Sequence, residues 1–149
     1  MGNAYSYLAR YGAMKESDYS YSGRDGSCKY SSSKTVTNAK PSGYKSVTRT
    51  EAGYMEALKE SPIAIAMDAD DIFDYGDGVI KACPTTNRSN HGVVLIGYGT
   101  SGSDKYWIIK NSWGSRWGEK GYFRILRKQS SSRDLGLCNI YDYAVAPQL

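Results

Sequence analysis

From Pro62 onward the chain breaks into short apolar runs separated by turn-forming residues, and that rhythm limits the fold more than any other feature. Ile63-Ala64-Ile65-Ala66-Met67, His91 to Tyr98, Tyr106 to Lys110, Tyr122 to Arg127 and Tyr141 to Ala146 are of strand length and rich in β-branched and aromatic residues. Turn clusters divide them, among them Thr100-Ser101-Gly102-Ser103-Asp104 and Ser130-Ser131-Ser132. Helical spacing occurs only before Pro62. Over residues 3 to 12, Asn3 is the predicted N-cap, Ala4, Tyr5, Tyr7, Leu8 and Tyr11 form an apolar stripe, and Gly12 follows the last turn. Thr50 is predicted to cap a second helix that runs to Ser61, with Ala52, Met55 and Leu58 on one face and Pro62 as its stop. Residues 15 to 47 have little periodicity, but Tyr19, Tyr21, Tyr30 and Tyr44 mark them as packed loop rather than disordered linker. Helices first and consecutive strands after, with no βαβ alternation, predict an α+β chain with an antiparallel sheet or barrel.

Charge and cysteine usage narrow the function classes. Nineteen basic and 15 acidic residues give net +4, with no block of five like charges, so a solvated surface is expected and a nucleic-acid stripe is not. No run approaches the roughly 18 apolar residues of a membrane span, and neither a basic start nor an apolar middle follows Met1 as a signal peptide requires. Cys28, Cys83 and Cys138 lack CxxC spacing beside a single histidine, which argues against zinc. They suit one disulfide plus a leftover thiol, as in a secretory-pathway protein. The acidic run Asp68, Asp70, Asp71, Asp74 and Asp77 lacks the spacing, central glycine and terminal glutamate of a calcium loop and is expected to be a solvated loop without metal. Asn87-Arg88-Ser89 is a formal N-glycosylation sequon.

His91 is the one histidine in 149 residues. Imidazole can serve as a base near neutral pH if a nucleophile meets one ring nitrogen and an acceptor orients the other. Asn111 could be that acceptor, and Trp113 and Trp117 could shield the pair. On the residues alone, a lone histidine near a strand start reads more readily as structural than as catalytic.

Two segments carry a resemblance. Asn90-His91-Gly92-Val93-Val94-Leu95-Ile96-Gly97-Tyr98-Gly99 and Tyr106-Trp107-Ile108-Ile109-Lys110-Asn111-Ser112-Trp113-Gly114-Ser115-Arg116-Trp117-Gly118-Glu119-Lys120-Gly121-Tyr122 resemble the histidine and asparagine signatures of papain-family cysteine peptidases, cathepsin L-like by pattern. Glu16-Ser17-Asp18-Tyr19-Ser20-Tyr21 is similar to the family's Glu-x-x-Tyr-Pro-Tyr, with Ser20 in place of proline. The resemblance covers essentially the whole chain. It implies a papain-like fold: an incomplete helical left domain over residues 1–45, then a strand-rich, antiparallel, barrel-like right domain over residues 46–149. It also implies a thiol endopeptidase with a Cys–His–Asn site and no cofactor. His91 would be base and acid, Asn111 would orient its ring, Trp113 would cover the His–Asn bond, and Trp117 would wall the leaving-group side. Ala66 and Gly92 would line the main specificity pocket and Tyr143 its floor, favouring apolar P2 residues. Cys83 and Cys138 match the family's disulfide in the strand-rich half, while Cys28 matches a cysteine whose partner lies upstream. Asn139 stands where the family has glycine after its last cysteine.

The family's nucleophile lies in a Cys-Gly-Ser-Cys-Trp type motif with His roughly 130–150 residues later, which places it roughly 40–60 residues before Met1. The oxyanion-hole glutamine would also lie upstream, and none of the three cysteines here has the nucleophile's context. The resemblance therefore implies the C-terminal part of a mature enzyme, with a truncated product or fragment as the favoured origin and a separate chain that supplies the cysteine half as the alternative. Such a chain supplies the His/Asn half and is inactive alone. The implied partners are the missing N-terminal half, a peptide or protein substrate, and a propeptide or cystatin-type inhibitor. The implied location is lysosomal, vacuolar or secreted. The alternative is a non-catalytic homologue serving as a binding or matrix protein; the intact His91 and Asn111 argue against it.

Overall fold

The computed structural model of the chain describes residues 1–83, 88–129 and 131–148. Asn87 of the sequon and Ser130 of the serine loop lie outside the described residues. By contact the chain falls into two units, one holding Met1–Lys45 together with Pro147 and Gln148, the other Ser46–Ala146.

In the first unit, α1 (Gly2–Tyr11) is followed by loop, a single 3-10 turn at Ser32–Lys34, and β1 (Gly43–Ser46), which crosses the boundary. Asn3 is not the N-cap: Met1 occupies that position without a side-chain bond, and Asn3 is exposed inside the helix. Packing decides the start. Gly2 is buried so close to Tyr44 that an added Cβ would stand 2.8 Å from its ring, and the Met1 carbonyl already accepts the Ala4 N–H at 3.0 Å. Gly12 ends the helix as predicted, at φ +80° with its N–H donating to the Leu8 carbonyl at 2.8 Å. Tyr11 and Tyr30 pack edge to face with ring centroids 5.3 Å apart.

The second unit holds α2 (Glu51–Ala57), β2 (Ile63–Met67), β3 (Val79–Ile80), β4 (His91–Ser101), β5 (Asp104–Lys110), β6 (Tyr122–Leu126) and β7, which begins at Tyr143 and ends at Gln148. Its strands lie in the order β7-β2-β4-β5-β6-β3. The chain is α+β, as expected. Four pairings are antiparallel, but β3 pairs with β6 in parallel, which the sequence did not indicate because a two-residue strand has no pattern to show. Alternation sets the core. Ile63, Ile65 and Met67 of β2, Leu95 of β4, Trp107 and Ile109 of β5, and Phe123 and Ile125 of β6 are fully buried. Each such side chain contributes about 1.5–3 kcal/mol by leaving water.

Thr50 caps α2 as predicted, its Oγ1 accepting the Gly53 N–H at 3.1 Å. The helix stops at Ala57 rather than Ser61. Lys59 and Glu60 donate to carbonyls three residues back, tightening the turn before Pro62, whose ring disfavours helical backbone at Ser61. The buried residue is Tyr54, and Ala52 is exposed. Tyr54 turns inward because its ring meets Tyr141 at 5.0 Å and Trp107 at 6.0 Å, and its hydroxyl donates to the Ile140 carbonyl at 2.8 Å. Burial raises both phenol pKa values, that of Tyr141 to about 12. A disulfide joins Cys83 to Cys138 with Cα atoms 5.4 Å apart, while Cys28 is free and exposed. Asn139 sits at φ +57°, a conformation glycine adopts freely and asparagine tolerates better than most residues, which accounts for the substitution there. No helix among the described residues is long and apolar enough to cross a membrane.

Candidate active site

β4 places His91 opposite Met67 on the buried face of the sheet, in line with Val93 and Leu95. Asn111 follows the last residue of β5. Ladder register brings the two together: Val94 pairs with Lys110, so Asn111 continues beside Val93, on the face His91 shares. Asn111 is 8% exposed, and its N–H donates to the Gly121 carbonyl at 2.9 Å.

His91 Nε2 lies 2.8 Å from Asn111 Oδ1. The second partner of that oxygen fixes the proton's position. The Ser112 backbone N–H, which can only donate, points at the same Oδ1 at 2.8 Å. The atom is therefore the carbonyl oxygen, Nε2 must carry a hydrogen, and the neutral ring leaves Nδ1 free to accept a proton. Asn111 Nδ2 is enclosed with no hydrogen-bond partner among the described residues.

Aromatic rings close one side of this pair. Trp113 lies over His91 with centroids 5.0 Å apart, and Trp117 meets Trp113 edge to face at 5.0 Å. Sequence reasoning missed Phe73, whose ring is parallel to Trp113 within 4° at 4.9 Å and whose carbonyl accepts the Trp117 indole N–H at 2.8 Å. It comes from the loop after β2, about 40 residues away in the chain, so no local pattern marks it. That loop is not simply solvated as expected: Asp68 is 3% exposed, and both Asp68 and Asp70 accept hydrogen bonds from Asn90. Among the described residues no cluster of His, Cys, Asp or Glu could hold a metal ion.

The remaining sequence candidates lie on the opposite face. Ala66 is in register with Gly92 on one side and Tyr143 on the other, so the three form one row across β7, β2 and β4. Of the cysteines, Cys83 and Cys138 are bonded to each other and Cys28 lies in the other unit.

Residues 1–148 match the papain family cysteine protease profile. The chain belongs to the papain family. It is 37% identical to a cathepsin L-like proteinase of Fasciola hepatica, a match that covers 100% of this chain and 45% of the relative. With cysteine proteinase 15A of Pisum sativum it shares 42% identity, over 85% of this chain and 37% of that protein. Among solved structures, the bromelain protease of Ananas comosus in complex with the E64 inhibitor superposes with a TM-score of 0.86 at 36% identity, covering 99% of this chain and 68% of that one. Digestive procathepsin L 3 of Tenebrio molitor gives a TM-score of 0.87 at 38% identity, covering 100% of this chain and 48% of that one. This papain-family chain thus spans less than half the length of these two curated relatives.

Proposed function

We propose that this chain carries the His–Asn part of a papain-like cysteine endopeptidase whose nucleophilic thiolate comes from outside residues 1–149. The observation that carries the reading is the 2.8 Å bond from His91 Nε2 to Asn111 Oδ1, which leaves Nδ1 as the proton acceptor. In this mechanism Nδ1 takes the proton of the cysteine thiol. The thiolate adds to the scissile carbonyl, and the imidazolium returns the proton to the leaving amine as the C–N bond breaks. Water, deprotonated by the same nitrogen, then hydrolyses the thioester and regenerates the thiol. Asn111 holds the ring plane through both steps, and Trp113 and Trp117 keep water from competing for the His–Asn bond. The Ala66–Gly92–Tyr143 row serves as one wall of the specificity pocket, with Tyr143 shortening it toward apolar P2 residues. The similarity to procathepsin L structures supports a propeptide partner. Lysosomal, vacuolar or secreted placement accords with the Cys83–Cys138 disulfide.

The test uses a dipeptidyl reporter with an apolar P2 residue. This chain alone should not hydrolyse it. The longer gene product that includes an upstream cysteine should, with inhibition by a thiol-directed epoxide, and His91→Ala should lower its kcat by roughly 10²- to 10⁴-fold. Epoxide-sensitive turnover by the 149-residue chain alone would refute the assignment of the nucleophile. A longer product whose activity ignores His91→Ala would refute the base.

A further inference from the structure

The residue before His91 is tied down by one short turn. Asn90 donates its backbone N–H to the Met67 carbonyl at 3.0 Å, and its side-chain Oδ1 accepts the Ala69 N–H at 2.9 Å. Its Nδ2 donates to Asp70 Oδ1 at 2.7 Å and to Asp68 Oδ1 at 3.3 Å. Asp68 is itself fixed: its N–H donates to the Cys138 carbonyl at 2.8 Å, and its Oδ1 also accepts the Asp70 N–H at 3.1 Å. Every polar atom of the Asn90 side chain is thus held by residues 68 to 70. The shortest of these bonds, to Asp70, is charge-assisted, the stronger kind. Asp70 is exposed, in contrast to Asp68, so removing its carboxylate opens no cavity in the core.

We propose that Asp70 is a positioning residue for His91. By clamping Asn90 it fixes the first residue of β4, and with it the ring that meets Asn111 at 2.8 Å. Without that clamp Asn90 keeps one weaker donor contact, at 3.3 Å, and the start of β4 can rock about the Met67 pairing. The proposal rests on the reading of His91 as the base, but its test needs no catalysis.

His91 is the one histidine, so selectively labelled protein gives a single set of imidazole resonances. With the imidazole neutral, the unaltered chain should show the Nε2–H tautomer, with a slowly exchanging Nε2 proton. Asp70→Ala should speed that exchange about tenfold or more, the factor that one charge-assisted hydrogen bond carries. Asp70→Asn keeps a neutral acceptor for Nδ2 and should fall between the two. Unchanged exchange in a folded Asp70→Ala chain overturns the proposal. If the alanine variant does not fold, as thermal unfolding would reveal, unchanged exchange in Asp70→Asn overturns it instead. Failure of the peptidase reading has a different signature: no thiol-dependent activity in the longer product while the graded exchange persists.

Discussion

The loop that carries Trp113 and Trp117 is anchored by Glu119, and replacing it with glutamine should loosen the aromatic cover in a pH-dependent way. Glu119 Oε1 accepts from Arg124 Nη2 at 2.5 Å and from the Gly78 N–H at 3.0 Å, while Oε2 accepts from Arg124 Nε at 3.0 Å. The carboxylate thereby joins the residue before β3, the turn after Trp117 and β6. Both side chains are 28% exposed, so the pair ranks between a solvated surface bridge and an enclosed one. Removing its charge should cost about 1–2 kcal/mol, above the surface median and below a buried pair. That corresponds to a fall of about 3–8 °C in Tm for a chain of this size. The Arg124 hydrogen bonds hold the Glu119 pKa below the usual glutamate value, with the Gly78 N–H adding to the effect and burial opposing it. A folded-state pKa lowered in this way contributes stability above the unfolded value, about 4.3, and loses it as pH falls through the folded value. Thermal unfolding of the unaltered chain and Glu119→Gln, followed by near-ultraviolet circular dichroism of the tryptophans, should therefore show a full gap at neutral pH that closes in acid. A gap that stays constant into acid would mean the carboxylate's charge is not what anchors the loop.

Other perturbations test other links. Reducing the Cys83–Cys138 disulfide, or Cys83→Ser, releases a loop of 55 residues and should cost about 4 kcal/mol on chain-entropy grounds, read from urea midpoints with and without reductant; a loss under about 1 kcal/mol would place its role elsewhere. Deleting Ile96 should leave the slowly exchanging His91 Nε2 proton in place, because Leu95 then follows Gly97 in an unbroken ladder that still pairs Leu95 with Ile109 and sets Asn111 beside Val93; loss of that proton in a folded deletion variant would refute that account of the register.

That register separates what the sequence could tell from what it could not. His91, Asn111, Trp113 and Trp117 were legible because each sits in a short ordered motif, and the strands after Pro62 because alternation is local. Phe73 and Asp70 were not: they reach the site through contacts between segments, and nothing in Asp70-Asp71-Ile72-Phe73 announces what it will touch. The face of the sheet was equally hidden. From the hairpin end, Ser101 pairs with Asp104, Gly99 with Tyr106 and Gly97 with Ile108. Continued unbroken, that ladder would set Asn111 opposite Val94, leaving Asn111 on the buried face it shares with Trp107 and Ile109 and turning His91 to the outer face. Instead the register slips between Leu95 and Gly97, leaving Ile96 as the extra residue, so that Leu95 meets Ile109 and Asn111 arrives beside Val93. A one-residue slip flips every side chain beyond it. In Val93-Val94-Leu95-Ile96, four apolar residues in a row, no residue type marks where it occurs. Burial supplies the choice: only in the slipped register does Leu95 share the buried face of Ile109, and the core that takes Leu95 in turns His91 toward Asn111.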